Sequence, residues 1–158
     1  MQPTFKHLND LPDSARVWVY PSTRVFTSNE AEQIAAMLDV FLFQWAAHGT
    51  KLMAKGHVLF NRFLVVMLDE NQADASGCSL DKLMHFVQGL EQKFNTSFTN
   101  RMTINYLEGD EIKDVHLKNL HGILDSQTKF FNHLVSTKAE LENAWIIPIS
   151  GSWLERYV

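Results

Sequence analysis

The chain has 158 residues, of which 46% are apolar and 11% aromatic, enough for one hydrophobic core and too few to argue for two. Fourteen Lys and Arg residues stand against eighteen Asp and Glu residues, giving a net charge of −4. Because the basic residues are scattered, the positive face typical of a nucleic-acid-binding protein is missing. We therefore predict a single domain over residues 1–158 with no nucleic-acid partner.

Membrane association is not expected either. The longest strictly apolar run, residues 63–68, is far shorter than the roughly 18 residues that cross a bilayer. Residues 1–12 lack the basic start and apolar centre of a signal peptide. Cys78 is the only cysteine, so no internal disulfide is expected, which fits a reducing compartment. We predict a cytoplasmic protein.

The first elements in chain order are a strand and a helix. Residues 16–20 (RVWVY) are β-branched and aromatic and stop at Pro21, a pattern typical of a strand. Thr27 and Glu30 have the spacing of a capping box, and apolar residues then recur at helical spacing until Gly49, a residue type that ends many helices. The apolar positions of this helix are Ile34, Leu38, Phe41, Leu42 and Trp45.

The next elements are two strands, a helix and a strand. Residues 50–61 predict a second strand, interrupted at Gly56 and His57. Residues 62–68 end in six apolar residues, which predicts a third strand buried on both faces. Residues 101–107 alternate apolar and polar side chains and predict a fourth strand. The helix between them carries its apolar stripe on Leu80, Leu83, Val87, Leu90 and Phe94.

The resulting β-α-β-β-α-β order predicts an α+β fold with a ferredoxin-like core over residues 16–108. In that fold the first and third strands are central and the other two lie at the edges. The first and third strands are indeed the pair that is apolar on both faces, and we expect these two neighbours to run parallel.

Residues 109–158 form a C-terminal α/β extension. We predict a short helix around residues 117–124, extended segments at residues 129–135 and 145–149, and between them a short helix opened by a second capping box at Thr137 and Glu140. We expect this extension to cover the sheet face opposite the two helices, because Trp18 and Tyr20 would otherwise be exposed. A partner subunit is the alternative cover.

Most motifs of known chemistry are missing. None of the seven glycines is followed by lysine, and no Gly-x-Gly-x-x-Gly occurs, so neither phosphate-binding fingerprint is present. No histidine pair has the spacing that places two metal ligands on one strand or helix face. We therefore predict no cofactor and no metal site. The seven histidines are His7, His48, His57, His85, His116, His121 and His133.

Cys78 is a candidate nucleophile in the segment ASGCS, residues 75–79. Ser79 is a plausible N-cap, and the positive end of the following helix favours a thiolate. Acidic neighbours oppose the thiolate, and the sequence places no base beside it. We favour the interpretation that Cys78 is a small buried packing residue, since free cysteine is often buried.

Arg24 belongs to a second candidate site. If the first and third strands run parallel, the loops at residues 21–26 and 69–79 leave the sheet at the same edge, where open α/β sheets often bind ligands. Arg24 is then expected to lie near Asp69 and Glu70. A simple surface ion pair is the preferred interpretation, with a ligand site formed by Arg24, Asp69, Glu70 and Cys78 as the alternative.

Seven short segments carry a resemblance over nearly the whole chain: RVWVY, WAAHG at residues 45–49, NRF at 61–63, the Asp69-Glu70 pair, ASGCS, LVSTKAELE at 134–142, and SW at 152–153. Together they resemble a family of short, uncharacterised bacterial proteins whose members often carry the label "ABC transporter ATPase". That label requires a phosphate-binding loop and a Leu-Ser-Gly-Gly-Gln type signature. The chain has neither, so the resemblance implies no catalytic residue and no nucleotide hydrolysis.

The sequence therefore predicts a small cytoplasmic binding or protein-interaction module without defined catalysis. A homodimer or a complex with another protein is expected from the apolar second sheet face and the aromatic C-terminal tail. The alternative is an enzyme, or a thiol-dependent small-molecule site, between the Arg24 loop and the Cys78 loop.

Overall fold

The computed structural model describes residues 11–158, so most of the segment assessed as a leader, residues 1–12, lies outside the described part. Three helices and nine strands follow one another in the order β1, α1, β2, β3, β4, β5, α2, β6, β7, β8, α3, β9. The helices are α1 (Ser28–Gln44), α2 (Gly77–Phe94) and α3 (Lys138–Ala144). The strands are β1 (Arg16–Pro21), β2 (Ala46–Ala47), β3 (Thr50–Lys51), β4 (Met53–Leu59), β5 (Phe63–Asp69), β6 (Thr103–Glu108), β7 (Glu111–His116), β8 (Lys129–Phe131) and β9 (Ile146–Pro148).

The first sheet has three antiparallel strands in the order β1-β5-β4. β5 is central because its apolar residues can be buried on both faces. Arg16 lies opposite Leu68 and Pro21 opposite Phe63. The expected parallel pairing of the first and third strands is therefore wrong. β5 follows β4 through a short turn and runs against it. Because β1 runs in the same direction as β4, β5 also runs against β1.

The predicted fourth strand forms, but in a different sheet. β6 belongs to a four-stranded sheet in the order β7-β6-β8-β9, where it pairs with β7 along its whole length and with β8 only through Tyr106 and Phe130. The fold is α+β, as predicted, but the four-stranded ferredoxin-like sheet is not formed. As a result β1 lies at an edge of its sheet and not in the centre.

The first sheet separates two apolar layers. Tyr20 and alternate residues of β5 face α1 and α2. Val17, Val19 and the other residues of β5 face the C-terminal segment, which contributes Phe131 and Trp145. The chain itself thus packs on the second sheet face. The side chains that it covers are Val17 and Val19, whereas Trp18 and Tyr20, which were expected there, lie on the helical side.

Several element boundaries differ from the sequence prediction. α1 ends at Gln44, and His48 and Gly49, both at positive φ, form the turn between β2 and β3. A 3-10 turn at Leu117–Asn119 replaces the predicted short helix. α2 starts earlier than expected because Ser76 is its N-cap, and Ser79, at position N3 of the helix, is the other residue of that capping box.

Gly56 does not interrupt its strand. It lies within β4 directly beneath α1, where an added Cβ would overlap the side chain of Leu38 and lie 2.9 Å from Leu42 Cδ1. The glycine is there because the helix comes so close to the sheet. Among residues 11–158, none of the helices is long and apolar enough to span a membrane.

Candidate functional site

The residues singled out from the sequence do not meet. Because β1 and β5 are antiparallel, the loop after Pro21 lies beside the start of β5, whereas Asp69 and Glu70 lie beside the start of β1. Arg24 and the acidic pair are therefore at opposite ends of the sheet. The ion pairs follow this geometry, because Arg24 pairs with Glu30 and Glu70 lies 3.9 Å from Arg16.

Arg24 joins the two long helices. Its guanidinium donates to both carboxylate oxygens of Glu30, at 3.0 and 2.6 Å, and to the carbonyl oxygen of Phe94 at the end of α2. The hydrogen bonds from Arg24, followed by the bond from the Thr27 amide, lower the pKa of Glu30 to about 2. All these contacts are internal, so they fix the start of α1 against the end of α2.

The acidic pair and Cys78 flank the start of α2. Asp69 accepts a hydrogen bond from the Asn71 amide at 3.0 Å, and Glu70 accepts one from the Ala75 amide at 3.1 Å. Both carboxylates thus stabilise the turn that leads into the helix. Cys78 is exposed on the first turn of α2, so the prediction of a buried cysteine is wrong.

A cleft of about 390 Å³ opens instead along the free side of β1. We call it the edge cleft. Its floor is the backbone of β1, one wall is the first half of α2, and the other wall is the segment 133–135. The described lining residues are Val17, Trp18, Val19, Tyr20, Leu80, Leu83, Met84, Arg101, His133, Leu134 and Val135. A second cavity of about 210 Å³ adjoins it at Pro21 and shares Arg101, His133 and Leu134.

Arg101 is the charged residue where the two cavities meet. It is exposed, and within the described part of the chain no carboxylate or other hydrogen-bond partner contacts its guanidinium. Its charge opposes the burial that raises the pKa of Tyr20 and adds to the burial that lowers the pKa of His133. The edge cleft therefore has, at one end, a positive charge that no described residue neutralises.

His133 lies behind Arg101, and both of its ring nitrogens are hydrogen-bonded. Its Nδ1 accepts from the Trp145 indole at 3.2 Å, so Nε2 carries the proton and donates to Asn105 Oδ1 at 2.7 Å. Burial, followed by the charges of Arg101 and Arg62, lowers the pKa of His133 to about 3. The imidazole is therefore neutral, and it supports the wall of the cleft.

The hydrogen bonds continue from His133 to the other sheet. Asn105 donates to Asp114 at 2.7 Å, Asp114 accepts from Arg62 at 3.0 Å, and Arg62 donates to the carbonyl oxygen of Ser22 at 2.9 Å. This chain of bonds links β6 and β7 to the ends of β1 and β5. It joins the two sheets through the ion pair of Arg62 and Asp114.

In the described part of the chain, hydrogen bonds cover the edge of β1 only at its start. The Val17 amide donates to the carbonyl oxygen of Ser136 at 2.9 Å, and the Lys138 amide donates to the carbonyl oxygen of Ala15 at 2.9 Å. Alternate residues of a strand point their backbone groups to the same side. The N–H and C=O of Val19 therefore point to the same side as the Val17 amide that bonds Ser136, and on that side they face the cleft. No described residue is hydrogen-bonded to the N–H or C=O of Val19 on that side.

Sequence reasoning did not identify Arg101, His133 or the open edge of β1 as a site. Arg101 opens the predicted fourth strand, and His133 is a polar residue within the apolar run KFFNHLV, which is the signal that could have marked it. The cleft itself depends on where β6 is placed.

Among residues 11–158 there is no cluster of three metal-ligating side chains. Comparison of the chain with protein-family models, curated proteins and solved structures finds no match.

Proposed function

We propose that this protein is a small binding module without catalysis of its own, and that its ligand occupies the edge cleft. The ligand has an apolar body and one negative group, which pairs with Arg101. The observation that carries this proposal is the guanidinium of Arg101, which lies at an apolar cleft without a partner in the described part of the chain. Arginine binds carboxylates and phosphates through paired hydrogen bonds.

The walls of the edge cleft suit an apolar body. α2 contributes Leu80 and Met84, the opposite wall contributes Leu134, and Trp18 of β1 also lines the cleft. Removing such surface from water contributes roughly 25 cal/mol per Å² to binding. An unpaired charge beside apolar walls therefore favours a ligand that combines both features over a free inorganic anion.

The internal contacts of His133 support binding over catalysis. A general base needs a nitrogen directed at the ligand, and both nitrogens of His133 are bonded to Trp145 and Asn105. Cys78 lies in the first turn of α2 and does not line the edge cleft. The residues beside Arg101 therefore position and enclose a ligand.

Calorimetric titration tests this proposal. The probes are a panel of apolar carboxylates, from butyrate to indole-3-acetate, and the matching primary amides. We expect the carboxylates to bind at least about tenfold more tightly than the amides, because a hydrogen-bonded ion pair is worth ~1.5–3 kcal/mol. R101Q should remove this preference. R156Q, which changes an exposed arginine outside the cleft, should retain it.

Equal affinity of carboxylate and amide, or wild-type affinity in R101Q, would overturn the proposal.

The predicted homodimer or protein partner and the cytoplasmic location are retained as proposals. The argument for a homodimer from an uncovered sheet face no longer applies, because Phe131 and Trp145 pack on that face. Light scattering at micromolar concentration tests it, and a strictly monomeric mass would count against it.

A further inference from the structure

The free part of the β1 edge offers a ligand more than apolar contact. Val19 presents both a donor and an acceptor to the cleft, and neither is bonded by a described residue on that side. Val19 is itself buried, so these groups open only toward the cleft. Buried backbone groups without partners are costly, and a chain laid along the edge supplies both missing bonds at once.

The edge cleft has the arrangement of a vacant strand position. In the predicted core the fourth strand would have paired with this side of β1 after leaving α2. In the structure β6 lies in the other sheet, yet α2 still flanks β1 with Leu80, Leu83 and Met84. A strand needs about 4.8 Å beside its neighbour. Among the described residues, none occupies the cleft of about 390 Å³ between α2 and the segment 133–135, and this is where an added strand would lie.

We propose that the ligand of the edge cleft is an extended apolar peptide with a free C-terminal carboxylate. It adds to β1 as an extra strand, runs in the same direction as β1, and places its carboxylate on Arg101. This inference rests on the proposed function, and it names the ligand class of that same site.

The two ends of the open edge determine how the peptide lies. At the start, Ser136 already occupies the amide of Val17. At the far end, Pro21 has no N–H, so the ladder cannot continue past Val19 on this side. Residues 17–21 span about 13 Å at ~3.3 Å per residue, which is room for three to four peptide residues.

Arg101 lies at the Pro21 end, where the cleft meets the second cavity. A peptide chain must therefore stop pairing beside the unpaired guanidinium. A chain end that carries its own negative charge fits this position, and a parallel orientation puts the carboxylate there. The opposite orientation would bring a positively charged N-terminus next to Arg101, and like charges repel.

The experiment titrates the full chain with two pools of N-acetylated pentapeptides, each position drawn from Val, Ile, Leu, Thr and Phe. One pool ends in a free carboxylate and the other in an amide. We expect amidation to weaken binding at least about tenfold, since it removes a hydrogen-bonded ion pair. Hydrogen exchange by NMR then follows the Val19 amide, which should slow at least about tenfold in the complex.

The same titrations are repeated with R101Q and R156Q. R101Q should bind both pools equally weakly, and R156Q should behave as the wild-type protein. Added strands bond through the main chain, so the peptide should slow exchange of the Val19 amide more than an apolar carboxylate that only fills the cleft. A paramagnetic label on the peptide N-terminus should broaden signals near Val17 more than those near Arg101.

Failure of this inference is distinguishable from failure of the proposed function. If apolar carboxylates bind through Arg101 but the peptides bind no better than their amides, or leave Val19 unprotected, the peptide inference is wrong and the anion site stands. If neither carboxylates nor peptides depend on Arg101, both are wrong. Stronger broadening near Arg101 than near Val17 would overturn the orientation.

Discussion

His133 and Asn105 join the C-terminal segment to the second sheet through a 2.7 Å hydrogen bond from Nε2 to Oδ1. That bond and the Trp145 indole leave no place for a second ring proton. The pKa of His133 is about 3 in the folded protein and ~6.5 in an unfolded chain. Between these values the unfolded state binds one more proton than the folded state, so stability falls as the pH falls from 6.5 toward 3.

We predict an acid-labile fold whose free energy of unfolding decreases by up to about 1.4 kcal/mol per pH unit below pH 6.5. Urea unfolding between pH 5 and 6.5 measures this slope. Glu30 loses its stabilising charge only between its ordinary pKa and its pKa of about 2 in the folded protein, and this range lies below the pH window of the experiment. H133Q should flatten the slope, whereas H85Q, which changes an exposed histidine of α2, should not. A slope unchanged in H133Q would contradict the prediction.

Arg62 and Asp114 form an ion pair with unequal burial, since the Arg62 side chain is 3% exposed and that of Asp114 37%. D114A leaves a buried charge without its carboxylate, and Arg62 Nε already has no hydrogen-bond partner in the described part of the chain. We predict a loss of about 3 kcal/mol for D114A.

The opposite substitution should cost less. R62M leaves Asp114 partly solvated and fills the buried space with an apolar side chain, so we expect a smaller loss of unfolding free energy than in D114A. D39A, which removes an exposed carboxylate of α1, controls for surface charge. Urea midpoints and slopes of the three variants give the order, and a larger loss in R62M would contradict it.

Gly56 allows α1 to approach the first sheet. We predict that G56A destabilises the protein by about 1–3 kcal/mol, because the added methyl overlaps Leu38. In an L38A background the same substitution should cost clearly less, since the overlap with Leu38 is gone and only the 2.9 Å contact with Leu42 Cδ1 remains. G89A is the matched control. Nothing lies within 4 Å of a Cβ at Gly89, which is helical, so there alanine should stabilise by about 0.5–1 kcal/mol. Additive costs of G56A and L38A would contradict the close approach.

Cys78 is exposed, so we predict complete reaction with a thiol reagent at pH 8 without denaturant. C78S should change the free energy of unfolding by no more than about 0.5 kcal/mol. The rate at pH 6 to 7, compared with that of glutathione, tests the thiol-dependent alternative separately. Reaction only after denaturation would show that Cys78 is buried, and a rate far above glutathione would support a reactive thiol.

Local features of the fold were predictable from the sequence. The capping box at Thr27 depends on residues three positions apart and was identified, whereas the N-cap of the second helix was placed at Ser79 and is Ser76. The apolar run of β5 likewise identifies a central strand. The strand order was not predictable, because it depends on contacts between distant residues such as Tyr106 and Phe130. Pattern alone does not say which sheet β6 joins.

The candidate site depended on the same distant contacts. Parallel pairing of two strands would have brought Arg24 to Asp69, and antiparallel pairing separates them by the length of the sheet. Arg101 and His133 are distant in sequence, and only the second sheet brings them to one cleft. Residue type identified chemically capable side chains, but strand direction decided which of them meet.

The partly covered edge of β1 also bears on aggregation. An exposed sheet edge can pair with the edge of any other molecule, and such pairing initiates fibrous assembly. Here the segment around Ser136 covers the start of the edge and Pro21 removes a donor at the end, so Val19 is the residue whose N–H and C=O are both left without a partner among residues 11–158. Two copies of the protein could pair only through the N–H and C=O of this one residue, which makes such pairing weak. A ligand forms the same bonds and also contacts Arg101. Loosening the segment at Ser136 would lengthen the free edge and make the protein prone to aggregate.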